Sequence, residues 1–136
     1  MEKFNGKWEI FSSDNFENYM TAIGVSPENI DKAKKSLESN SKLVHEINGS
    51  GNSWSIKTTT NAGEKEIKFN LGEEFSTATL DGRPVKVTFS VDGDQLVEIQ
   101  KGDGFETKNV RSVSGNELTA IMTGNGVQCT RKYKRI

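Results

Sequence analysis

A chain of 136 residues is the length of one domain, here taken as residues 1–136, and its 18 basic and 19 acidic side chains leave a formal net charge of −1, without the global basic field of a nucleic-acid binder. With glycine counted and tyrosine left out, the apolar fraction is about 40%, against ~45–50% in typical globular domains, so a solid core is thinly supplied. No apolar run approaches the ~18–20 residues that span a bilayer, and Met1 is followed by Glu2-Lys3-Phe4-Asn5-Gly6 without the apolar stretch of a secretion signal.

In chain order, a first strand precedes two short helices. Phe16, Tyr19, Met20 and Ile23 fall at i, i+3, i+4 and i+7, one face of a helix over about 16–23 that Gly24 can end. Ser26-Pro27-Glu28 then opens a second helix over about 27–37, with a capping serine, proline at the first helical position and an acid in the first turn. Its apolar side is Ile30, Ala33 and Leu37; Lys32, Lys34 and Lys35 lie largely elsewhere. Helices shorter than ~12–15 residues are marginal alone in water, so both must pack on something.

From Gly51 onward the turn signals recur every ten to twelve residues: Asn61-Ala62-Gly63, Leu71-Gly72, Asp81-Gly82, Asp92-Gly93, Gly102-Asp103-Gly104, Ser114-Gly115 and Gly124-Asn125-Gly126. This is the punctuation of nine short strands in a meander. Val85, Val87 and Phe89 alternate with polar residues, as do Leu118, Ala120 and Met122; Val127, Cys129 and Tyr133 occupy the odd, inward phase of the last strand. Strand Leu96–Gln100 is mixed and its facing stays open. Ten antiparallel strands either form two packed sheets or curl into a barrel. A barrel wider than ~8 strands leaves interior space that side chains do not fill, and the lean apolar content fits such a cavity.

Arg131 is the anomaly of the last strand, in phase with Cys129 and Tyr133, and Arg111 repeats it, in phase with Phe105 and Val113. Burying an unpaired charge costs several kcal/mol, and neither strand offers an acid on the same face. Two inward guanidiniums and a tyrosine hydroxyl suit a carboxylate, because the planar fork of arginine matches it and the phenol donates a further hydrogen bond. The alternatives are a place on the rim, or pairing with an interior acid such as Asp81 or Glu98.

Phe4-Asn5-Gly6-Lys7-Trp8 running on to Asn15-Phe16-Glu17 and Tyr19-Met20, the central Phe69-Asn70-Leu71-Gly72-Glu73-Glu74-Phe75 with Asp81-Gly82-Arg83-Pro84, and the closing Cys129-Thr130-Arg131-Lys132-Tyr133 resemble the three motifs of the intracellular lipid-binding proteins, the fatty-acid-binding and cellular retinoid-binding family. The resemblance runs over nearly the whole chain. It implies an all-β, ten-stranded antiparallel up-and-down barrel capped by a short helix-turn-helix lid, a monomer in the cytoplasm that carries one long-chain fatty acid, or another hydrophobic acid such as retinoic acid. By that resemblance Arg111, Arg131 and Tyr133 hold the carboxylate. Phe16, Tyr19 and Met20 line the tail or entrance, Ala120 and Met122 face the cavity, and Asp81 and Arg83 form an interior polar pair. Lys32, Lys34 and Lys35 resemble the basic portal surface by which some members meet anionic membranes. Bulkier or non-acid lipids such as bile acids or retinol, or a membrane or partner interaction protein with vestigial lipid binding, are the competing expectations.

The chain departs from the family where many members place a phenylalanine between the third and fourth strands; here the turn reads Asn61-Ala62-Gly63. One histidine, His45, and one cysteine, Cys129, leave no zinc cluster, disulfide framework or nucleophile–base pair, so neither a cofactor, a metal nor an enzymatic activity is expected.

Overall fold

The computed structural model describes residues 2–37, 42–61, 63–79 and 82–136. A 3-10 turn (Glu2–Phe4) leads into strand β1 (Gly6–Asp14), helices α1 (Phe16–Ala22) and α2 (Pro27–Leu37), and then β2 (Val44–Ser50), β3 (Ser53–Thr60), β4 (Gly63–Asn70), β5 (Phe75–Ala78), β6 (Pro84–Asp92), β7 (Gln95–Gly102), β8 (Phe105–Ser114), β9 (Glu117–Gly124) and β10 (Val127–Arg135). All ten strands join one antiparallel sheet in the order β4-β3-β2-β1-β10-β9-β8-β7-β6-β5. Pairing β1 with β10 brings the two ends of the chain together and curls the meander into a barrel, nearly closed, with no ladder between β4 and β5.

The unladdered seam is closed by side chains. Phe69 of β4, Phe75 of β5 and Phe89 of β6 stack across it, with the Phe69 and Phe89 centroids 3.9 Å apart and all three rings within 15° of parallel. The Gly72 N–H donates to Phe89 O at 2.7 Å beside them. Toward the other end of the seam, Lys65 Nζ of β4 donates to Ala78 O of β5.

The Gly-x-Trp motif near the N-terminus has a packing reason. Gly6 adopts φ +137°, and a Cβ there would stand 2.6 Å from Arg135 Nη1. The absent side chain lets Arg135 reach Asn5 O at 2.7 Å and Lys3 O at 3.0 Å while lying 4.2 Å above the ring of the fully buried Trp8. This contact pins the last strand to the first.

The helices form as the sequence predicts, α1 ending one residue earlier at Ala22 and α2 spanning Pro27–Leu37. Ser26 caps α2 through Asn29 N–H at 3.3 Å, and Gly24 at φ +85° turns the chain out of α1 while Val25 N–H reaches back to Met20 O at 3.0 Å. Phe16, Tyr19 and Met20 are the buried face of α1. The helix is tied to the barrel at both ends, by Asn15 Nδ2 to Gln128 O at 2.9 Å and by Asn125 Nδ2 to Ala22 O at 2.6 Å. Gly124 permits the close approach: a Cβ there would meet Ile23 Cγ2 at 2.5 Å. The lid therefore rests directly on β9 and β10.

The interior is not solid. Phe4, Trp8, Ile47, Val87, Phe89, Leu96, Leu118 and Cys129 pack at 2% exposure or less, and beyond them a cavity of about 620 Å³ opens beneath the lid. A volume in the ~300–1,000 Å³ range suits one small-molecule ligand. The lean apolar composition is the sequence counterpart of this hollow.

Candidate functional site

The strand registers place the arginines. Arg111 of β8 and Arg131 of β10 both sit opposite Ala120 of β9, so the two guanidiniums arise two strands apart on one cross-strand row. Arg131 is 4% exposed, and its guanidinium lies 4.2 Å above the Phe16 ring at the start of α1, a cation–π contact that ties the deepest cation to the lid. Tyr133, two residues on, is equally buried and lines the cavity with Arg111 and Arg131.

Arg111 has an interior acid. Its Nη1 donates to Glu98 Oε1 at 2.8 Å, with both side chains almost fully withdrawn from water. Of the alternatives the sequence leaves open for Arg111, pairing with the interior acid Glu98 is the one the structure shows. Glu98 comes from β7, the neighbouring strand, where Leu96, Glu98 and Gln100 are the inward phase that mixed polarity hides. Gln100 Nε2 donates to Glu98 Oε2 at 2.5 Å, so both carboxylate oxygens are engaged.

His45 of β2, set aside in the sequence, also belongs to the site. It lines the cavity with its ring 5.0 Å from that of Tyr133, and its Nδ1 is 2.8 Å from Thr58 Oγ1. Burial, then the positive charges of Arg111 and Arg131, lower its pKa from 6.5 to about 3, so the ring is neutral at pH 7. Among the described residues, this end of the cavity therefore carries two guanidiniums, one carboxylate and a neutral imidazole: a single net positive charge.

Of the remaining expected lining residues, Phe16, Tyr19, Met20, Met122 and Arg83 face the cavity. Burial pushes the Tyr19 hydroxyl up to about 12, partly offset by its hydrogen bond with Thr107, so it stays a neutral donor at physiological pH. Ala120 is 2% exposed but does not line the cavity; a methyl group flanked by two long side chains stays beneath them. Asp81 and Ala62 lie outside the described residues. Arg83 is anchored to the lid, its Nη1 donating to Ile23 O at 2.7 Å while its guanidinium lies 4.2 Å above Phe105. On α2, Lys34 pairs with Glu17 of α1 at 3.3 Å and Lys32 with Glu28 at 3.6 Å. Sequence reading also missed the polar wall of Thr58, Lys65, Thr107 and Asn109, whose Oδ1 is buried without a hydrogen-bond partner among the described atoms. Its signal was present as polar residues in an apolar phase.

A ten-stranded barrel with a helical lid and an interior cation cluster defines a class of small-molecule-holding barrels. The comparisons narrow the class to a family. Residues 5–136 match the model of the lipocalin / cytosolic fatty-acid binding protein family, and the chain belongs to it. It is 37% identical over 136 residues to fatty acid-binding protein 12 of Mus musculus, covering 100% of this chain and 99% of that one. Among solved structures it is similar to the REP1-NXSQ fatty acid transporter (TM-score 0.90, 37% identity, 100% and 98% of the two chains) and to a Schistosoma mansoni fatty acid binding protein in complex with arachidonic acid (TM-score 0.91, 28% identity, 100% and 98%).

Proposed function

We propose that this protein is a cytoplasmic, monomeric carrier that holds one long-chain fatty acid, or a comparable hydrophobic acid such as retinoic acid, non-covalently and reversibly in the cavity. The observation that carries the reading is the grouping of the buried Arg131 and Tyr133 with the Glu98-paired Arg111 at one end of a hollow that Phe16, Met20, Ile56, Ile67 and Met122 also line.

Head and tail do different work. Arg131 and Tyr133 donate to the carboxylate, while Arg111, steadied by Glu98, adds its field from two strands away. Charge-assisted hydrogen bonds are worth about 1.5–3 kcal/mol each, and each buried methylene contributes about 0.8 kcal/mol. The tail, lying against Phe16, Tyr19, Met20 and Met122, therefore supplies most of the affinity, and the head fixes orientation and selects acids over alcohols. The relatives named for fatty acids support the same class of ligand. Carriage rather than catalysis is the reading, with Lys32, Lys34 and Lys35 of α2 meeting anionic membrane surfaces during transfer.

Extraction of the freshly purified protein and mass spectrometry of what it carries test the reading. A one-to-one complement of long-chain acids is the expected result. Neutral lipids alone would overturn it, as would failure of the delipidated protein to bind any added acid.

A further inference from the structure

We propose that the cavity contains a second anion-binding subsite at Lys65, and that its ligands include hydrophobic acids bearing a second carboxylate. The proposal rests on the fatty-acid reading above for the first carboxylate.

Lys65 breaks the pattern of β4. It shares phase with Ile67 and Phe69, which pack inward, and its side chain lines the cavity rather than the outer face. The registers His45–Thr58 and Thr58–Lys65 set it in one row with His45, two strands away. At ~4.8 Å between neighbouring strands, its backbone stands about 10 Å from that of His45, on the far side from Tyr133, to which the His45 ring is adjacent. The cavity thus has a cation on each side.

Lys65 is only partly provided for. Its ammonium carries three donors, and among the described residues its one hydrogen bond goes to Ala78 O across the β4–β5 seam. A carbonyl accepts a hydrogen bond without neutralising the charge. Glu64 is the described carboxylate lining this end, and its Oε2 is engaged by Lys57 at 3.4 Å. Among the described residues, the Lys65 ammonium thus has a carbonyl partner and no carboxylate partner. A methyl-terminated chain placed there would strip water from the ammonium and return no hydrogen bond, whereas a second carboxylate would supply both the charge and the acceptors.

The test compares palmitate with hexadecanedioate on the delipidated full chain and on two variants, Lys65→Met and Lys65→Arg. The wild type is expected to bind the diacid about as tightly as palmitate. Lys65→Met should weaken the diacid by about tenfold and leave palmitate within about threefold, while Lys65→Arg restores the diacid. Tight palmitate binding with equal loss of both ligands in Lys65→Met, or no loss of either, would show Lys65 to be only a strap across the seam and would overturn the subsite alone. Failure of the wild type to bind palmitate would overturn the fatty-acid reading and this one with it.

Discussion

Glu98 holds Arg111 at 2.8 Å inside the barrel, and this pairing sets one carboxylate against one of the two buried guanidiniums of the cavity. Removing the carboxylate tests the consequence. Breaking a buried ion pair by deleting one partner costs about 3–5 kcal/mol, and Glu98→Gln, which keeps the bond from Gln100 within reach, should cost the ligand-free protein somewhat less, about 2–4 kcal/mol. Urea denaturation would read the loss. The same substitution leaves two guanidiniums for the ligand, so fatty-acid affinity should rise, and saturating acid should recover most of the lost stability. Unchanged stability and affinity together would mean that the pair has no part in setting the interior charge.

Much of this arrangement was legible in the sequence because alternation within a strand is a local property. The inward phase of the last strand, with Cys129, Arg131 and Tyr133, stands in the structure as the spacing predicts, and so does the cap-and-proline start of α2. What alternation does not carry is the identity of the neighbour across the ladder. Glu98 could be named only as one possible partner because β7 mixes its polarity: Val97 packs outside the cavity at 7% exposure while Glu98, at 5%, faces in. His45 was passed over for the same reason. Its role depends on β2, β8 and β10 converging around one cavity, and the seam that Lys65 spans has no counterpart in any single strand.

His45 predicts an acid sensitivity. Its folded pKa of about 3 lies below the 6.5 of the free side chain. The unfolded chain therefore binds the proton first, so stability is complete above pH 6.5 and falls as the pH drops toward 3. One proton sets a limiting slope of about 1.4 kcal/mol per pH unit. Arg111, Arg131 and Tyr133 are the titratable groups facing the ring. Denaturation midpoints from pH 7 to pH 4 should fall less steeply in His45→Gln than in the wild type. Bound fatty acid should also shallow the wild-type slope, because its carboxylate opposes the two arginines. Superimposable profiles for wild type and variant would remove His45 as the cause.

The aromatic stack across the seam predicts a stability effect separate from ligand charge. Phe69→Ala removes a buried ring that stacks on Phe89 at 3.9 Å and should cost about 3–5 kcal/mol. Amide hydrogen exchange should speed up selectively in β4 and β5, where no ladder protects the facing edges. Uniform acceleration across all ten strands would argue against a local closure.

On the lid surface, replacing Lys32, Lys34 and Lys35 together with glutamine should slow transfer of fatty acid to anionic vesicles. Each lysine near such a surface is worth about 1 kcal/mol. Since Lys34 and Lys32 already face Glu17 and Glu28, a reduction of about tenfold is expected at low salt, fading as salt is raised. Transfer to neutral vesicles should not change. Equal slowing with both vesicle types would point to a lid defect rather than membrane contact.

In the proposed function Arg131, with Tyr133, receives the ligand's carboxylate. The most direct test of this role is titration of the delipidated wild type and Arg131→Met with oleate and oleyl alcohol, thermal melts confirming that the variant is folded. The wild type should prefer the acid by about 10–100-fold, the equivalent of about 1.5–3 kcal/mol, and the variant should lose that preference while binding the alcohol as before. Equal binding of acid and alcohol by the wild type, or an acid preference that survives in Arg131→Met, would contradict the account.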